Sequence, residues 1–379
     1  MTKPHITFYD TSKAYYASYY LHGFNELKKE NRLELSIANT LPSELKEAIQ
    51  NSDWQHLLFL MILFKLQLGD KRWYFCIDTH DSNTLKISNQ IDGYHLPLLQ
   101  SVNAYFKVNY NPNEIERIPE LRAQQNKIHS ISQFIPLQPS PFLPFCRRLL
   151  LTPALFGFKP GLDFNMPYDG YLADARNRIR DLKNFQSLDQ IIAHRNAKKD
   201  IDLFFRTSFR HKPRHETAMD GRLQIMQRLS GIPELHTVMG FSSYRKLPDK
   251  YVNYIHPPLK QSEYVEILAR SKIVIYTQGM LGCISSKFAL AMALGAAVAG
   301  NPIENNPELL AAYPHLREQF RYTEPDELID YATHLATHSE KARELGALNA
   351  SLFDNYLAPR PTAEYVLRTL TNQLHGPKL

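Results

Sequence analysis

A loop in the C-terminal half combines the residues best suited to hold a bound anion. It spans residues 277–284, follows the β-branched run 272–276 and precedes a Ser-Ser-Lys sequence. The run predicts a buried parallel strand, and the serines predict the start of a helix. A loop between a strand end and a helix amino terminus favours anionic ligands such as a diphosphate. The candidate ligand-binding residues here are Gly279, Gly282, Ser285, Ser286 and Lys287.

Lys287 falls in the first turn of this predicted helix, where a cation opposes the helix macrodipole. That position is physically reasonable if an anion is bound there, so we expect Lys287 to contact a phosphate. Capping of the helix is the simpler role for at least one of the two preceding serines.

Basic residues follow the predicted strand 201–205. The candidates for phosphate binding in this segment are Arg206, Arg210 and Lys212. A guanidinium group can hold a phosphate through two hydrogen bonds and can stabilise the charge of a departing diphosphate. A solvated basic loop would have the same composition, and this alternative stays open.

His256 precedes Pro257 at the end of the predicted strand 251–255. In a parallel sheet this strand end lies at the same edge as the 277–284 loop, so we count His256 among the ligand-binding candidates. A turn histidine that happens to precede proline is an equally good interpretation.

Two aspartates in the N-terminal half could act as a catalytic base. Asp78 and Asp81 follow the predicted strand 72–77, where a carboxylate can accept a proton from a hydroxyl group. Aspartates after strands are also common helix caps and turn formers. Lys107, in the predicted strand 104–110, either binds a ligand or lies on an exposed strand face, and the exposed position is favoured.

The elements that must position these residues alternate between strands and helices. This alternation predicts an α/β fold of two Rossmann-like domains facing a cleft, although no G-x-G-x-x-G fingerprint is present. The predicted organisation is a first domain over residues 1–165, linker helices over 166–200, a second domain over 201–355 and a C-terminal helix within 356–379.

The run 285–295 (SSKFALAMALG), followed by a small-residue strand and Pro302, resembles the donor-site helix of group 1, family 4-like, glycosyltransferases of the GT-B fold. The resemblance covers roughly residues 203–353. It implies that the second domain binds a nucleotide-sugar, that the first binds the acceptor, and that the final helix returns to the first domain. Leu290 occupies the position where this family usually has a glutamate that holds the donor ribose.

This resemblance implies a metal-independent glycosyltransferase of polysaccharide biosynthesis. The expected donor is a UDP- or GDP-sugar, the acceptor is a hydroxyl of a saccharide or cell-surface glycan, and no further cofactor is expected. The His-Pro and Ser-Ser pairs also resemble motifs of transferases that use CMP-sugars of the Kdo or sialic acid type. A nucleotide-sugar epimerase of the same fold and a non-catalytic glycan-binding protein stay open, the latter because of Leu290.

Composition is that of an ordinary globular protein: 379 residues, 44% hydrophobic and 22% charged. The net charge of +6 is too small to indicate a nucleic-acid partner. Three cysteines are too few for a disulfide framework or a zinc site, which favours a reducing cytoplasm. No signal-peptide pattern or transmembrane-length apolar run is present. We expect a cytoplasmic protein with peripheral contact at the inner membrane face.

Overall fold

The structure is a computed structural model that describes residues 3–10, 14–38, 41–49, 60–80, 90–91, 93–138, 180, 183–211, 213–279 and 282–375. The chain divides into two compact units. The first unit comprises Met1–Phe185 and Tyr356–Leu379, and the second comprises Gln186–Asn355. Asp81 and Lys212, both candidate site residues, lie outside the described residues.

The first unit is built on a mixed sheet. Its strands are β1 (His5–Tyr9), β2 (Glu34–Ala38), β3 (Met61–Leu68), β4 (Lys71–Asp78), β5 (Gln90–Ile91), β6 (Tyr94–His95), β7 (Ala104–Lys107) and β8 (Ile128–Ser130). Six of them form one sheet in the order β2-β1-β3-β4-β7-β8, and β5 and β6 form a separate pair. The helices are α1 (Ala14–Lys29), α2 (Ser43–Ile49), α3 (Leu96–Ser101), α4 (Pro112–Arg117) and α5 (Pro119–Arg122).

Strand β3 departs from the predicted Rossmann-like pattern because it runs antiparallel to both β1 and β4, whereas the other neighbours in this sheet are parallel. The cause is local. A two-residue turn at Gly69 and Asp70 joins β3 directly to β4, and Gly69 has a φ of 59°. Turns of this type require positive φ and connect antiparallel strands.

The second unit contains a five-stranded sheet. Its strands are β9 (Ile201–Ser208), β10 (Thr237–Ser242), β11 (Ile255–His256), β12 (Ser271–Tyr276) and β13 (Ala297–Gly300). Their order is β11-β10-β9-β12-β13, and every neighbouring pair is parallel. The helices are α6 (Leu188–Ala193), α7 (Glu216–Ser230), α8 (Gln261–Arg270), α9 (Ser286–Ala293), α10 (Pro307–Ala312), α11 (His315–Gln319), α12 (Pro325–Thr337) and α13 (Ser339–Leu352).

Helices cover both faces of this sheet. Leu203 and Phe205 of β9 point into a core formed with α7, α12 and α13. Phe204, between them, points to the opposite face, where its ring centroid lies 5.1 Å from that of Tyr264 on α8. Burial on both faces explains the near-continuous apolar sequence of the strands and confirms the predicted α/β class.

The predicted strand 251–255 is largely wrong. Residues Asp249–Tyr254 form a 3₁₀ helix, and only Ile255 and His256 pair with β10. The ring of Tyr251 packs against Phe241, and its hydroxyl donates a 2.5 Å hydrogen bond to Asp220. Because the Tyr251 side chain points into the helical layer, the segment forms a 3₁₀ helix instead of an extended strand.

Part of the predicted linker belongs to the second unit, because residues 186–200 form hydrogen bonds with other residues of that unit. Arg195 donates to the carbonyl oxygen of Ala293 at 2.8 Å and forms two hydrogen bonds with Asp354. Lys199 donates to the carbonyl oxygen of Ala269 at 2.7 Å. The second unit therefore begins near Gln186 rather than at residue 201.

The C-terminal helix α14 (Pro359–His375) packs against α1 within the first unit, as predicted. The Tyr19 hydroxyl donates to the carbonyl oxygen of Leu357, and the hydroxyls of Ser132 and Thr362 lie 2.6 Å apart. None of the helices in the described part of the chain is long and apolar enough to span a bilayer.

Gly23 permits the close approach of α1 to α14. A Cβ atom at this position would overlap the carbonyl group of Pro359. We therefore expect Gly23→Ala to destabilise the protein by about 1–3 kcal/mol, the usual range for an added group in a packed interface. Urea unfolding followed by circular dichroism measures the change.

Gly221→Ala in α7 is the matched control, because a Cβ at Gly221 meets no atom within 4 Å. Alanine is the better helix former, so this variant should gain up to about 1 kcal/mol. Equal stability changes in the two variants would contradict the packing argument.

Candidate functional site

The second sheet contains a topological switch point between β9 and β12. The chain runs from β9 outward to β10 and β11, then crosses back so that β12 pairs with the other side of β9. The segments that leave the carboxyl ends of β9 and β12 therefore diverge. In open α/β sheets, the crevice at such a point is the usual ligand site.

Arg222 of α7 connects the two strand ends at the switch point. Its guanidinium donates to the Thr207 hydroxyl of β9 at 3.2 Å and to the carbonyl oxygen of Gln278, after β12, at 2.9 Å. Arg222 is 8% exposed. Burial, and to a lesser extent the charge of Arg210, lower its pKa to about 10, so the group stays charged at neutral pH.

Lys287 lies in the first turn of α9, as predicted, and is partly buried. Its Nζ atom lies 5.7 Å from the centroid of the Phe205 ring. Burial and the neighbouring charge of Arg222 lower the pKa of Lys287 to about 7. Neither Lys287, Arg210 nor Arg222 forms an ion pair with a carboxylate in the described part of the chain. We call these three residues the cation cluster.

The glycine-containing loop is folded back on itself. The Gly279 N–H donates to the carbonyl oxygen of Cys283 at 2.8 Å, and a Cβ at Gly279 would overlap the Cys283 side chain. Gly282 has a φ of 75°, and its carbonyl oxygen accepts a hydrogen bond from Asn305. Both glycines are thus required by the backbone path, and residues 280 and 281 lie outside the described chain.

Helix α9 begins where the sequence predicts. Ser285 has the extended conformation of an N-cap residue, and Ser286 is the first helical residue. The Ser285 N–H donates to the Tyr276 hydroxyl at 3.3 Å. At the end of the helix, Gly295 has a φ of 58°, as expected of the residue that ends it.

Thr277 adds a buried hydroxyl group directly after β12. The residue is 8% exposed, and its Oγ1 atom has no hydrogen-bond partner among the residues that the structure describes. The neighbouring Gln278 is fully engaged, since its side chain donates to the Pro302 carbonyl and its N–H to Asn301. A buried polar atom without a partner is a recognised mark of a ligand site.

Arg206 and His256 form a separate group. Side chains alternate along β9, so Arg206 lies on the face opposite to Phe205 and donates to the Pro257 carbonyl at 3.0 Å. Burial lowers the pKa of Arg206, and burial together with Arg206 lowers that of His256. The His256 ring lies against Gly240, where a Cβ would overlap it. Arg206 therefore lies on the face of β9 opposite to Phe205, the residue whose ring Lys287 contacts.

In the first unit, Asp78 lies at the end of β4 and is completely buried. Its Oδ2 atom accepts hydrogen bonds from Tyr105 at 2.5 Å and Lys107 at 3.0 Å. Its Oδ1 atom accepts from the backbone N–H of His80 at 2.8 Å and lies 2.9 Å from Nδ1 of the same residue. Burial alone would raise the pKa of Asp78, but Lys107, His80 and Tyr105 hold it well below its ordinary value.

Lys107 is completely buried, so the predicted exposed strand position is wrong. Its ammonium group donates to Asp78 and to the carbonyl oxygens of His80 and Gly93 at 3.2 and 2.9 Å. With three acceptors, the charge is satisfied within the first unit, and this lysine has no remaining donor directed at a ligand.

Sequence reasoning counted Arg222 in the basic segment after β9 but did not select it as a site residue, and it did not select His80. The signal for Arg222 was present, because this arginine interrupts the buried stripe of α7 formed by Met219, Leu223 and Met226. A charge in an apolar stripe predicts a buried partner or ligand. His80 carried no such pattern, since its role depends on its contact with Asp78 across a short turn.

A groove of about 940 Å³ lies at the opposite, amino-terminal edge of the second sheet. Its charged lining is largely paired, with Arg195 bound to Asp354 and Lys272 to Asp202. The switch point is the better candidate because none of its cations forms an ion pair with a carboxylate among the residues that the structure describes. No group of three or more His, Cys, Asp or Glu side chains suited to a metal ion occurs in the described chain.

The solved structures that resemble this chain include two that we compare over nearly its whole length. UDP-GlcNAc 2-epimerase from Neisseria meningitidis, bound to UDP-GlcNAc, is 14% identical over 95% of this chain and 98% of that one, with a TM-score of 0.39. TarM from S. aureus, in a complex that contains UDP, is 10% identical over 99% and 100%, with a TM-score of 0.42. No curated protein sequence matches significantly.

Residues 220–357 match a family model described as glycosyl transferase-like. The match includes Arg222, Lys287 and the 277–284 loop. Of the Arg206–His256 pair, it includes His256 but not Arg206. The resemblance predicted from the run 285–295 is therefore confirmed for this region, which is similar to glycosyl transferase-like proteins.

Proposed function

We propose that the switch point of the second unit binds the diphosphate of a nucleotide-sugar, and that the protein transfers the sugar to a hydroxyl group of a saccharide or glycan acceptor. The observation that carries this proposal is the cation cluster of Arg210, Arg222 and Lys287, which has no described carboxylate partner. The glycosyl transferase-like match of residues 220–357, which contain Arg222 and Lys287 but not Arg210, supports it.

An anion resolves the electrostatic problem that the cluster creates. Burying like charges together is unfavourable, and the lowered pKa values of Lys287 and Arg222 report that repulsion and burial. A diphosphate placed between these side chains and the amino terminus of α9 would receive charge-assisted hydrogen bonds. The same groups would stabilise the charge that develops on the diphosphate as it leaves, without a metal ion.

The charge of the cluster favours a UDP- or GDP-sugar over a CMP-sugar. Three cationic side chains match the two phosphate groups of a diphosphate better than the single phosphate of a cytidylate. Leu290 is 7% exposed and has no polar group, so the ribose must be held by another residue. Thr277, with its unpartnered buried hydroxyl, is the proposed candidate.

Arg222→Met and Lys287→Met should each weaken UDP binding by about 1.5–3 kcal/mol, the range for a hydrogen bond to a charged group. This corresponds to roughly 10- to 100-fold in Kd. Isothermal titration calorimetry with UDP, GDP, ADP, TDP and CMP, with and without EDTA, measures the affinities. We expect one diphosphate to bind best and EDTA to have no effect.

Lys341→Met is the control, because it removes one positive charge from an exposed site in the same unit, where Lys341 pairs with Glu318 and Glu344. It should leave UDP affinity unchanged. Preferred binding of CMP would instead support the CMP-sugar class, and conversion of a nucleotide-sugar without an acceptor would support an epimerase. Failure of the wild-type protein to bind any nucleotide would favour a non-catalytic protein.

Diphosphate affinity should also depend on pH. Lys287 has a pKa of about 7 without ligand, so above that pH the free protein must take up a proton to offer an ammonium group. UDP affinity should then fall by up to about tenfold per pH unit between pH 7 and 9. The terminal phosphate of UDP, with a pKa near 6, is already ionised over this range.

Lys287→Arg provides the control for pH dependence, because an arginine at this position would stay charged up to pH 9. Its UDP affinity should be nearly constant over the same range. A wild-type affinity that is equally constant would show that Lys287 is not a phosphate ligand.

A further inference from the structure

The groove at the amino-terminal edge of the second sheet lies at the end of the strands away from the switch point. Helix α13, the turn at Gly295 and the segment 195–199 before β9 form its walls. Every residue that lines the groove belongs to the second unit. Its volume of about 940 Å³ falls within the usual range for small-molecule sites, about 300–1,000 Å³. The groove is therefore large enough for an organic ligand.

Packing explains the glycines of the groove. A Cβ at Gly346 of α13 would overlap the carbonyl oxygen of Gly295, so this glycine is required for the close approach of α13 to the end of α9. The neighbouring lining residues Ala342, Ala347 and Ala350 are small and leave the groove open. Packing does not explain why basic side chains surround this space.

The charges of the groove are unbalanced. Four basic side chains and one acidic side chain line it. Two of the basic side chains form the ion pairs with aspartates described above, whereas Lys199 and Arg343 form none with a carboxylate in the described part of the chain. The groove is therefore suited to an anion.

Lys199 shows the imbalance most clearly because it is partly buried. Its ammonium group donates to the carbonyl oxygen of Ala269 at 2.7 Å, which leaves N–H donors for a ligand. Burial lowers the pKa of Lys199 to about 8, so most of the protein carries this charge at neutral pH. A negative charge in the groove would stabilise the protonated form.

The uncharged lining indicates which kind of anion fits. Asn196, Ser339, Ser351 and Asn355 add amide and hydroxyl groups, which can form hydrogen bonds with the hydroxyl groups of a sugar. None of the described residues that line the groove is aromatic, so a nucleobase would find no ring for stacking. A phosphorylated sugar matches both features, because its phosphate suits the cations and its hydroxyls suit the polar groups.

We propose that this groove is a second ligand site, which binds a phosphorylated sugar with Lys199 and Arg343 as the phosphate ligands. The site is distinct from the switch point, since it lies at the other end of the same strands. The inference does not depend on the proposed sugar transfer.

The first test measures affinity by isothermal titration calorimetry with glucose 6-phosphate, glucose and inorganic phosphate as separate probes. Glucose 6-phosphate should bind best. Arg343→Gln and Lys199→Gln should each weaken its binding by about tenfold or more, because each removes a charged hydrogen-bond donor. Arg343 is exposed, so the fold tolerates its replacement. Absence of glucose 6-phosphate binding at millimolar concentration, or equal affinity for inorganic phosphate, would overturn the proposal.

Lys198→Gln is the matched control, because it removes the same charge one position away from Lys199. Lys198 is exposed and does not line the groove. Its glucose 6-phosphate affinity should equal that of the wild type. If Lys287→Met lowers this affinity and the groove variants do not, the sugar phosphate binds at the switch point. The groove proposal is then wrong, while the proposed function stands.

The second test locates the ligand. In NMR spectra of alanine-methyl-labelled protein, glucose 6-phosphate should shift the methyl signals of Ala342, Ala347 and Ala350, which line the groove. Ala347 is exposed, and Ala347→Phe should block binding by filling the groove without a change of charge. Unshifted groove methyl signals, or wild-type affinity in Ala347→Phe, would refute the proposal whatever the result of the UDP titrations.

Discussion

The buried guanidinium of Arg222 is the interaction on which the second unit's site depends. It can be buried because acceptors on the segments that end β9 and follow β12 receive its hydrogen bonds. The same two bonds hold together the strand ends at the switch point. Its charge, however, has no described carboxylate partner. The guanidinium therefore has hydrogen-bond acceptors but no compensating negative charge. Lys287, placed beside it at a helix amino terminus, increases the imbalance.

The two units differ in whether a buried charge is neutralised by an opposite charge. In the first unit, Asp78 and Lys107 are both completely buried and neutralise each other, and each has further hydrogen bonds. Such a pair is tolerated because the geometry compensates for desolvation. Nε2 of His80, beside this pair, has no hydrogen-bond partner among the described residues. The first unit therefore neutralises its buried charges internally, whereas the second unit has cations without a described carboxylate partner.

Local sequence signals predicted the parts of the structure that are locally determined. The start of α9 after Ser285 and the positive φ of Gly295 at its end are both observed, although the Ser285 side chain makes no capping hydrogen bond. The hairpin at Gly69 carried a local turn signal, yet the prediction of a Rossmann-like first domain did not use it. Strand 251–255 failed because the packing of Tyr251 outweighed its β-propensity.

The site residues were harder to predict because their roles depend on contacts between distant segments. Lys107 resembled an exposed strand residue, and only the proximity of Asp78, 29 positions earlier, makes its burial possible. Arg206 lies near the end of β9 and Lys287 at the amino end of α9, but strand alternation places Arg206 on the face of β9 opposite to Phe205. The sequence can predict that a residue lies near a sheet edge. The face of the strand on which its side chain lies, and the residues that it contacts, depend on the register of strand pairing.

A lysine at position 287 can lose its proton near neutral pH, whereas an arginine at this position would stay charged. Because its pKa is about 7, the ammonium group can lose its proton when no anion is present, which relieves the repulsion with Arg222. Arg222, with a pKa of about 10, cannot do so at neutral pH. In the proposed reaction, donor binding would therefore draw a proton onto Lys287, and departure of the nucleoside diphosphate would release it. The site would carry its full positive charge only while the diphosphate that needs it is bound, so the ligand-free fold is spared part of the cost of burying like charges.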